Sequence, residues 1–324
     1  MSGSFDAIVV GGGPAGAAAA IACRQHGLAT LLLEADITPP ERPGETLHPG
    51  VKGIFQRLGV SDEIERAGFA RHSGQRVIRG ARSEFHAYGA LGYQAVRSRL
   101  DGILLHRARA LGAHVRIGSP ATEMLVEDGQ PAGVRAGGEE WRSKFVIDAA
   151  GRGHWLQRHL GLALLQVSDP LIARFGWSEG EGDTPEFRVE GCGWRWEAPV
   201  GAGRRAWVSL RLDGGPGDGG QGRDVTWRLA RPCAGAGYFL AGDAACVIDP
   251  ASSHGVLRAL ESGIRAADAI AAGEGSESYC AWMESWFCAD ARTLADLYAE
   301  FDPAPGWLAL AREALRYITM NPRS

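Results

Sequence analysis

The chain has 324 residues, 45% of them hydrophobic and 22% charged, with a formal net charge of −4. That is ordinary globular material, enough for one large domain or two interleaved ones. The slightly acidic balance excludes a net basic field drawing the chain to nucleic acid or anionic lipid, so no nucleic-acid partner is expected.

The six cysteines (Cys23, Cys192, Cys233, Cys246, Cys280, Cys288) form no C-x-x-C pair and have no histidine at ligand spacing. A reduced, cytoplasmic protein without a metal site is expected. Of the 34 basic residues, only Lys52 and Lys144 are lysines. The apolar start, Ala7 to Ala22, is interrupted by Gly11-Gly12-Gly13-Pro14. This suits a strand, turn and helix rather than a signal peptide or a membrane span.

Asp6–Val10 predicts a buried parallel strand. Gly11, Gly13 and Gly16 follow in the spacing G-x-G-x-x-G, with Pro14 and Ala15 opening an alanine-rich helix. A second apolar run, Thr30–Leu33, ends at Glu34. Gly11 permits the tight turn, Gly13 lets the backbone approach a pyrophosphate, and Gly16 lets helix and strand pack closely. The helix start offers free N–H groups and a partial positive charge to phosphates. Glu34 can accept hydrogen bonds from both ribose hydroxyls, which favours an unphosphorylated adenosine ribose over NADP.

Arg42-Pro43-Gly44-Glu45 leads into Thr46-Leu47-His48-Pro49 and a helix carrying Lys52. Residues 75–95 alternate as a hairpin would, with its turn near Gly80-Ala81-Arg82. The run from Arg97 through Arg99 to Leu105 opens another helix, and the strand Phe145–Ile147 leads into Asp148-Ala149-Ala150-Gly151-Arg152. Residues 171–212 hold several short aromatic strands expected to pair antiparallel, including Trp194-Arg195-Trp196-Glu197-Ala198-Pro199. Asp213–Gly222 is expected to be a flexible surface loop.

The strand Tyr238–Leu240 then leads into Gly242-Asp243-Ala244-Ala245, Asp249-Pro250 and a helix from about His254. An acid at this strand end can reach ribityl or ribose hydroxyls. The helix start at Ser253-His254-Gly255-Val256 can face the pyrimidine edge of a flavin and stabilise negative charge there. After Gly273, Tyr279, Trp282, Met283, Trp286, Phe287, Leu294, Leu297 and Tyr298 recur at helical spacing. This stripe is expected to be core, with Pro303 and Pro305 breaking it before a last short helix.

G-G-G-P-A-G, R-P-G-E, R-S-R-L-D-G-I-L-L, D-A-A-G-R and G-D-A-A-C-V-I-D-P together resemble the FAD-dependent monooxygenase and flavin-dependent tryptophan halogenase superfamily, from residue 5 to about residue 270. The resemblance implies an α/β chain: a Rossmann-like FAD-binding fold of the glutathione-reductase type, with an interleaved antiparallel β-sheet substrate domain and C-terminal helices. Residues 1–70, 96–165 and 233–275 would form a discontinuous FAD-binding domain, 71–95 and 166–232 the substrate domain, and 276–324 the C-terminal helices. Gly11, Gly13, Pro14, Ala15, Gly16 and Glu34 match the adenosine and pyrophosphate positions. Arg99 matches an arginine that contacts the cofactor, and Asp243 the acid on the ribityl–phosphate arm. Gly255 and Val256 match backbone beside the flavin ring, and Arg42, Gly242 and Pro250 are further cofactor-binding positions.

Hydroxylation of an electron-rich aromatic group is the expected activity, in which the protein excludes water, orients the ring and accepts a proton. His48 and His254, one on each flavin-facing loop, are the candidate acid–base groups, with Glu45 close by. A histidine at a helix N-terminus is expected to be pushed toward its neutral form. Halogenation is the alternative. Trp194 to Pro199 matches the halogenases' W-x-W-x-I-P except at Ala198, but their essential lysine amine would have to come from Lys52 or Lys144. Val225–Ala230 and Tyr238–Gly263 resemble flavoproteins that hydroxylate a tryptophan in a partner protein during quinone-cofactor maturation. An isoprenoid reductase and a non-catalytic flavin-bound maturation factor are further alternatives. The partners implied are a small aromatic substrate or a partner polypeptide, with NAD(P)H or a separate flavin reductase as electron source.

Overall fold

A computed structural model describes residues 4–38, 42, 44–201, 203–213 and 219–321. The chain opens with β1 (Ser4–Val10), α1 (Pro14–Gln25) and β2 (Thr30–Glu34). There follow β3 (Glu45–Leu47), α2 (Val51–Leu58), α3 (Ser61–Arg66), β4 (Ala70–Arg79) and β5 (Arg82–Ala95). Next come α4 (Arg97–Ala110), β6 (His114–Ile117), β7 (Ala121–Glu127), β8 (Gln130–Ala136), β9 (Glu139–Asp148), α5 (Trp155–Leu160) and β10 (Ala163–Gln166). The middle of the chain gives β11 (Ile172–Glu179), β12 (Glu186–Glu190), β13 (Gly193–Gly201), β14 (Arg204–Arg211), β15 (Gln221–Asp224) and β16 (Arg228–Arg231). The last strands are β17 (Ala234–Gly235), β18 (Tyr238–Leu240) and β19 (Cys246–Val247), before α6 (Gly255–Ala272), α7 (Ser276–Ala299) and α8 (Leu308–Met320).

The first sheet has the order β17-β18-β9-β1-β2-β6, and β18, β9, β1, β2 and β6 run parallel. β1, β2, β18 and the carboxyl end of β9 are short, mostly apolar runs largely buried on both faces, the pattern of a parallel sheet covered by helices. The register pairs Val10 with Leu33 and with Asp148, and Leu240 with Asp148. Gly11, Glu34, Ala149 and Gly242 are therefore brought to one edge of the sheet, although they are scattered through the sequence. Crevices outside the carboxyl ends of such strands are where this architecture binds ligands.

Small residues close the helix layer on that edge. α1 buries Ala15, Ala17 to Ala20 and Ala22, and α6 packs directly against it. A Cβ on Gly263 would lie 2.1 Å from the Ala15 carbonyl oxygen, so only glycine lets α6 approach this closely.

The second sheet has the order β15-β11-β14-β13-β12-β4-β5-β3. It is antiparallel except where β12 runs parallel to β4. The hairpin expected over 75–95 is β4–β5, which turns at Gly80-Ala81. The sequence stretch 171–212 supplies β11 to β14. Of the loop expected over Asp213–Gly222, residues 214–218 lie outside the described residues, and Gln221 and Gly222 extend into β15, paired with Phe175 and Arg174. β10, β16 and β19 make a third, small sheet. α7 buries Tyr279, Met283, Phe287, Leu294 and Tyr298, as the stripe predicts. It is not purely core, because Trp286 and Asp290 on the same helix reach the start of α6.

Candidate active site

The glycines of the first turn divide into filled and open positions. Gly11 has φ +104°, and a Cβ there would sit 2.3 Å from the Ala149 carbonyl oxygen. A Cβ on Gly16 would lie 1.9 Å from the Gly11 carbonyl oxygen. Both are required by the protein's own packing. Gly13 differs: nothing of the protein lies within 4 Å of a Cβ there, so its bare backbone faces open space. Pro14 takes the first helical position, where its missing N–H costs nothing. No side chain caps the free N–H groups that follow, which leaves them for an anion. Glu34 accepts from the backbone N–H of Gly12 at 2.5 Å and of Asp36 at 2.8 Å. A carboxylate has about four acceptor directions, so these bonds orient Glu34 and leave capacity for ribose hydroxyls.

Across the edge, Gly242 adopts φ +60° and donates its N–H to Ser262 Oγ at 2.9 Å. Asp243 accepts from Arg152 Nε at 2.9 Å, and Arg258 Nη2 lies 3.6 Å from its other oxygen. Burial pushes the Asp243 carboxyl up, but Arg152 and Arg258 outweigh it and hold the group below its ordinary value. An ionised carboxylate at this edge suits hydroxyl donors of a ribityl or ribose arm. Arg42 has an exposed side chain in the field of Arg97, Asp101, Asp243 and Arg223; partial desolvation first, then the Arg97 charge, hold its guanidinium below the ordinary value. Arg99 is exposed, with its guanidinium 6.0 Å from the Phe69 ring. The buried arginine of α4 is Arg97, which donates to Glu45 at 3.0 Å and to Asp101 at 3.2 and 3.3 Å.

The loop before α6 is held by a side chain that sequence reasoning passed over. Asp249 is 0% exposed; it accepts from the Ala251 N–H at 2.7 Å, from Trp194 Nε1 at 3.1 Å, and from the Tyr298 hydroxyl. Burial pushes its carboxyl up to about 6 against these bonds. Asp249 thereby clasps the second sheet, through Trp194 of β13, and α7, through Tyr298, to the loop. Pro250 opens a short 3-10 turn (Pro250–Ser252) and Ser253 takes the left-handed conformation at φ 57°. Gly255 and Val256 then begin α6; apart from its own stretch of chain, nothing lies within 4 Å of a Cβ on Gly255.

A small cleft at this point is lined by Leu47, His48, Val51, Ser253, His254 and Leu257. His48 and His254 both line it. His48 accepts the Gly50 N–H at its Nδ1 (3.1 Å), and its ring centroid lies 4.8 Å from that of Tyr88. Glu45 is not on the cleft wall, because its carboxylate is taken by Arg97; burial pushes it up and Arg97 only partly offsets this.

His254 departs from expectation. Its Nδ1 lies 2.8 Å from Asp290 Oδ1. That hydrogen bond comes first among the influences on the ring, and with the Asp290 charge it raises the imidazole above its ordinary value despite burial and the nearby Arg258. The helix N-terminus does not decide the matter, since a carboxylate in direct contact acts at shorter range than a partial helix charge. With Nδ1–H donated to Asp290, Nε2 is the ring nitrogen left free of that bond, on a side chain that is 46% exposed and lines the cleft. Trp286 stands beside it, with ring centroids 6.0 Å apart. Asp290 and Trp286 could not be found from sequence spacing: Asp290 lies 36 residues from His254 and sits in an apolar helical stripe.

Neither lysine joins this cleft. Lys144 pairs with Asp6 at 2.9 Å, near the amino end of β1. Lys52 is exposed on α2, where its charge acts on Glu65. Among the described residues no group of three or more histidine, cysteine or acidic side chains could hold a metal, and no helix is long and apolar enough to cross a membrane.

Residues 4–205 match the family model described as FAD binding domain. A relative from Pseudoalteromonas luteoviolacea, a 1H-pyrrole-2-carbonyl-[peptidyl-carrier protein] brominase, is 27% identical over 98% of this chain and 86% of its own length. Among solved structures, a flavin-dependent brominase superposes with a TM-score of 0.80 at 22% identity, covering 98% of this chain and 100% of that one. A peptidyl tryptophan dihydroxylase essential for tryptophylquinone cofactor biogenesis gives a TM-score of 0.75 at 22% identity, covering 96% and 79%. At these identities the solved structures speak to the fold, which is α/β with an FAD-binding Rossmann-type sheet.

Proposed function

The chain belongs to the FAD-binding domain family, and from that premise we propose that it is a monooxygenase that hydroxylates an electron-rich aromatic group, including a tryptophan presented by a partner polypeptide. The cofactor is FAD. The open cradle at Gly13, the uncapped start of α1 and the ionised Asp243 fit an adenine dinucleotide carrying a ribityl arm. In this proposal Gly11, Gly13, Pro14, Ala15, Gly16 and Glu34 hold the adenosine and pyrophosphate. Asp243 serves the ribityl arm, Arg42, Arg99, Gly242 and Pro250 are further cofactor-binding positions, and Gly255 and Val256 lie against the ring. When bound, the flavin supplies the electrons and the reduced-oxygen chemistry.

The observation that carries the proposal is the His254–Asp290 pair beside a small cleft that His48 also lines and that neither lysine lines. Asp290 fixes the imidazole tautomer and orientation, so that Nε2 is the atom that exchanges a proton in the cleft. Delivery of an electrophilic hydroxyl equivalent to a ring carbon leaves that carbon's hydrogen to depart as a proton, and in this proposal Nε2 accepts it when the imidazole is neutral. Glu45 would act only through Arg97. NAD(P)H or a separate flavin reductase would supply the reducing equivalents.

Product analysis under ¹⁸O₂ tests this: label from molecular oxygen should enter the aromatic product, with no dependence on halide. Halogenation is the second reading, favoured by the brominase relative that aligns over nearly the whole chain and by Trp194-Arg195-Trp196-Glu197-Ala198-Pro199. Brominated or chlorinated product from the wild-type protein would replace the hydroxylase proposal with it.

A further inference from the structure

Arg258 begins in the first turn of α6, yet its side chain is only 1% exposed. Its Nη2 lies 3.6 Å from Asp243 Oδ1, and its Nη1 4.0 Å from Asp290 Oδ2. Both distances exceed the roughly 2.7–2.9 Å of a charge-assisted hydrogen bond. Arg258 Nε and Nη1, Asp290 Oδ2 and Ser252 Oγ are all buried without a hydrogen-bond partner. Buried polar groups are ordinarily satisfied, and a buried charge left loosely paired is costly. One guanidinium is thus shared, incompletely, between two carboxylates that serve different ends of the site.

We propose that Arg258 is a positioning residue that transmits occupancy of the cofactor cradle to the proton held by His254. The links run in order: Arg152 to Asp243, Asp243 to Arg258, Arg258 to Asp290, and Asp290 to His254. Asp243 is the candidate cofactor acid, so a bound cofactor redirects its acceptor capacity. Arg258 is then released toward Asp290, whose unpartnered Oδ2 lies 4.0 Å from its Nη1. A carboxylate more fully neutralised by Arg258 holds a proton on His254 less strongly. The other charged groups facing His254 are Glu261 on α6, which favours its protonated form, and His48, which lines the same cleft. Neither belongs to the chain of contacts. The inference rests on reading His254 as the acid–base group, but its test uses no turnover. Failure of the hydroxylase proposal therefore leaves it standing, and the reverse also holds.

The experiment is an NMR titration of the His254 ring in histidine-labelled protein, with FAD removed and then restored, its resonance assigned by loss in His254→Asn. Restoring FAD to the wild type should lower the titration midpoint by about half a pH unit or more. Arg258→Met should give the same midpoint with and without FAD, and Arg258→Lys should recover part of the difference. Asp243→Asn, which keeps Arg258, should show the lowered midpoint before FAD is added and serves if Arg258→Met does not fold. A purely structural Arg258 would change the melting temperature and leave the FAD-dependent shift intact. An unmoved midpoint in the wild type, or an equal fall in Arg258→Met, would overturn the proposal.

Discussion

The two ends of the site are built in opposite ways. The turn between β1 and α1 is a backbone device: Gly11, Gly13 and Gly16 act through the side chain they lack, and Glu34 is set by backbone N–H groups only a few residues from the turn or from itself. The cleft at the start of α6 is a side-chain device assembled from His48 on one loop, His254 on another and Asp290 on a distant helix. A backbone site leaves a local signature, the spacing of its glycines, even where part of the steric limit comes from a distant strand end, as the Ala149 carbonyl oxygen does for Gly11. A side-chain site is specified by whichever groups the tertiary fold brings together. The first tolerates almost no change in shape, and the second should be tunable by single exchanges.

The largest effect should come from breaking the backbone device. In Gly16→Ala the new methyl would lie 1.9 Å from the Gly11 carbonyl oxygen. Backbone meets backbone there, so we expect a loss of about 1–3 kcal/mol or more and purification without flavin. Gly13→Ala sharpens the contrast, because no protein atom opposes its methyl. The FAD-free protein should melt within about 0.5 kcal/mol of wild type, while FAD binding weakens by about tenfold or more. Thermal melts and flavin titrations read both. Equal melting losses in the two variants would mean that Gly13 is another packing glycine.

Next in size is His254→Ala. It should retain FAD, whose proposed phosphate contacts lie elsewhere, slow product formation by about 10²-fold and divert reducing equivalents to hydrogen peroxide. Coupled turnover at the wild-type rate would leave His254 a structural residue.

Asp290→Asn should act more gently, through pH. The folded imidazole of His254 titrates above its ordinary value of 6.5. The pair therefore adds stability in full below that value and loses it as the pH rises through the folded value. The ring is 46% exposed, so the contribution is modest. In Asp290→Asn the His254 midpoint should fall and the acid-side gain in melting temperature should shrink. A midpoint that does not fall would show that Asp290 has no hold on the ring.

The smallest effect should be Lys52→Ala. Exposed on α2 and away from the cleft wall, it should alter turnover by no more than about twofold, with or without bromide. Abolished product with normal flavin reoxidation would favour the halogenase reading and make Lys52 its amine.

Sequence alone determined the strand–turn–helix–strand unit from Asp6 to Glu34, the hairpin over 75–95 and the short antiparallel strands after 171. In each, the readable signal lies within a few residues: alternation, apolar runs and the spacing of glycines. Sequence also singled out His48 and His254, because each stands on a loop at a strand or helix terminus. Only the tertiary structure decided what those histidines face. It put Asp290 against His254 and so reversed the expected direction of its ionisation. It gave the buried ion-pair network of α4 to Arg97 and left Arg99 exposed. It also made Asp249 the clasp between Trp194 and Tyr298. These outcomes depend on electrostatics and hydrogen bonding across elements tens of residues apart, where a short contact outweighs any local tendency that the sequence can express.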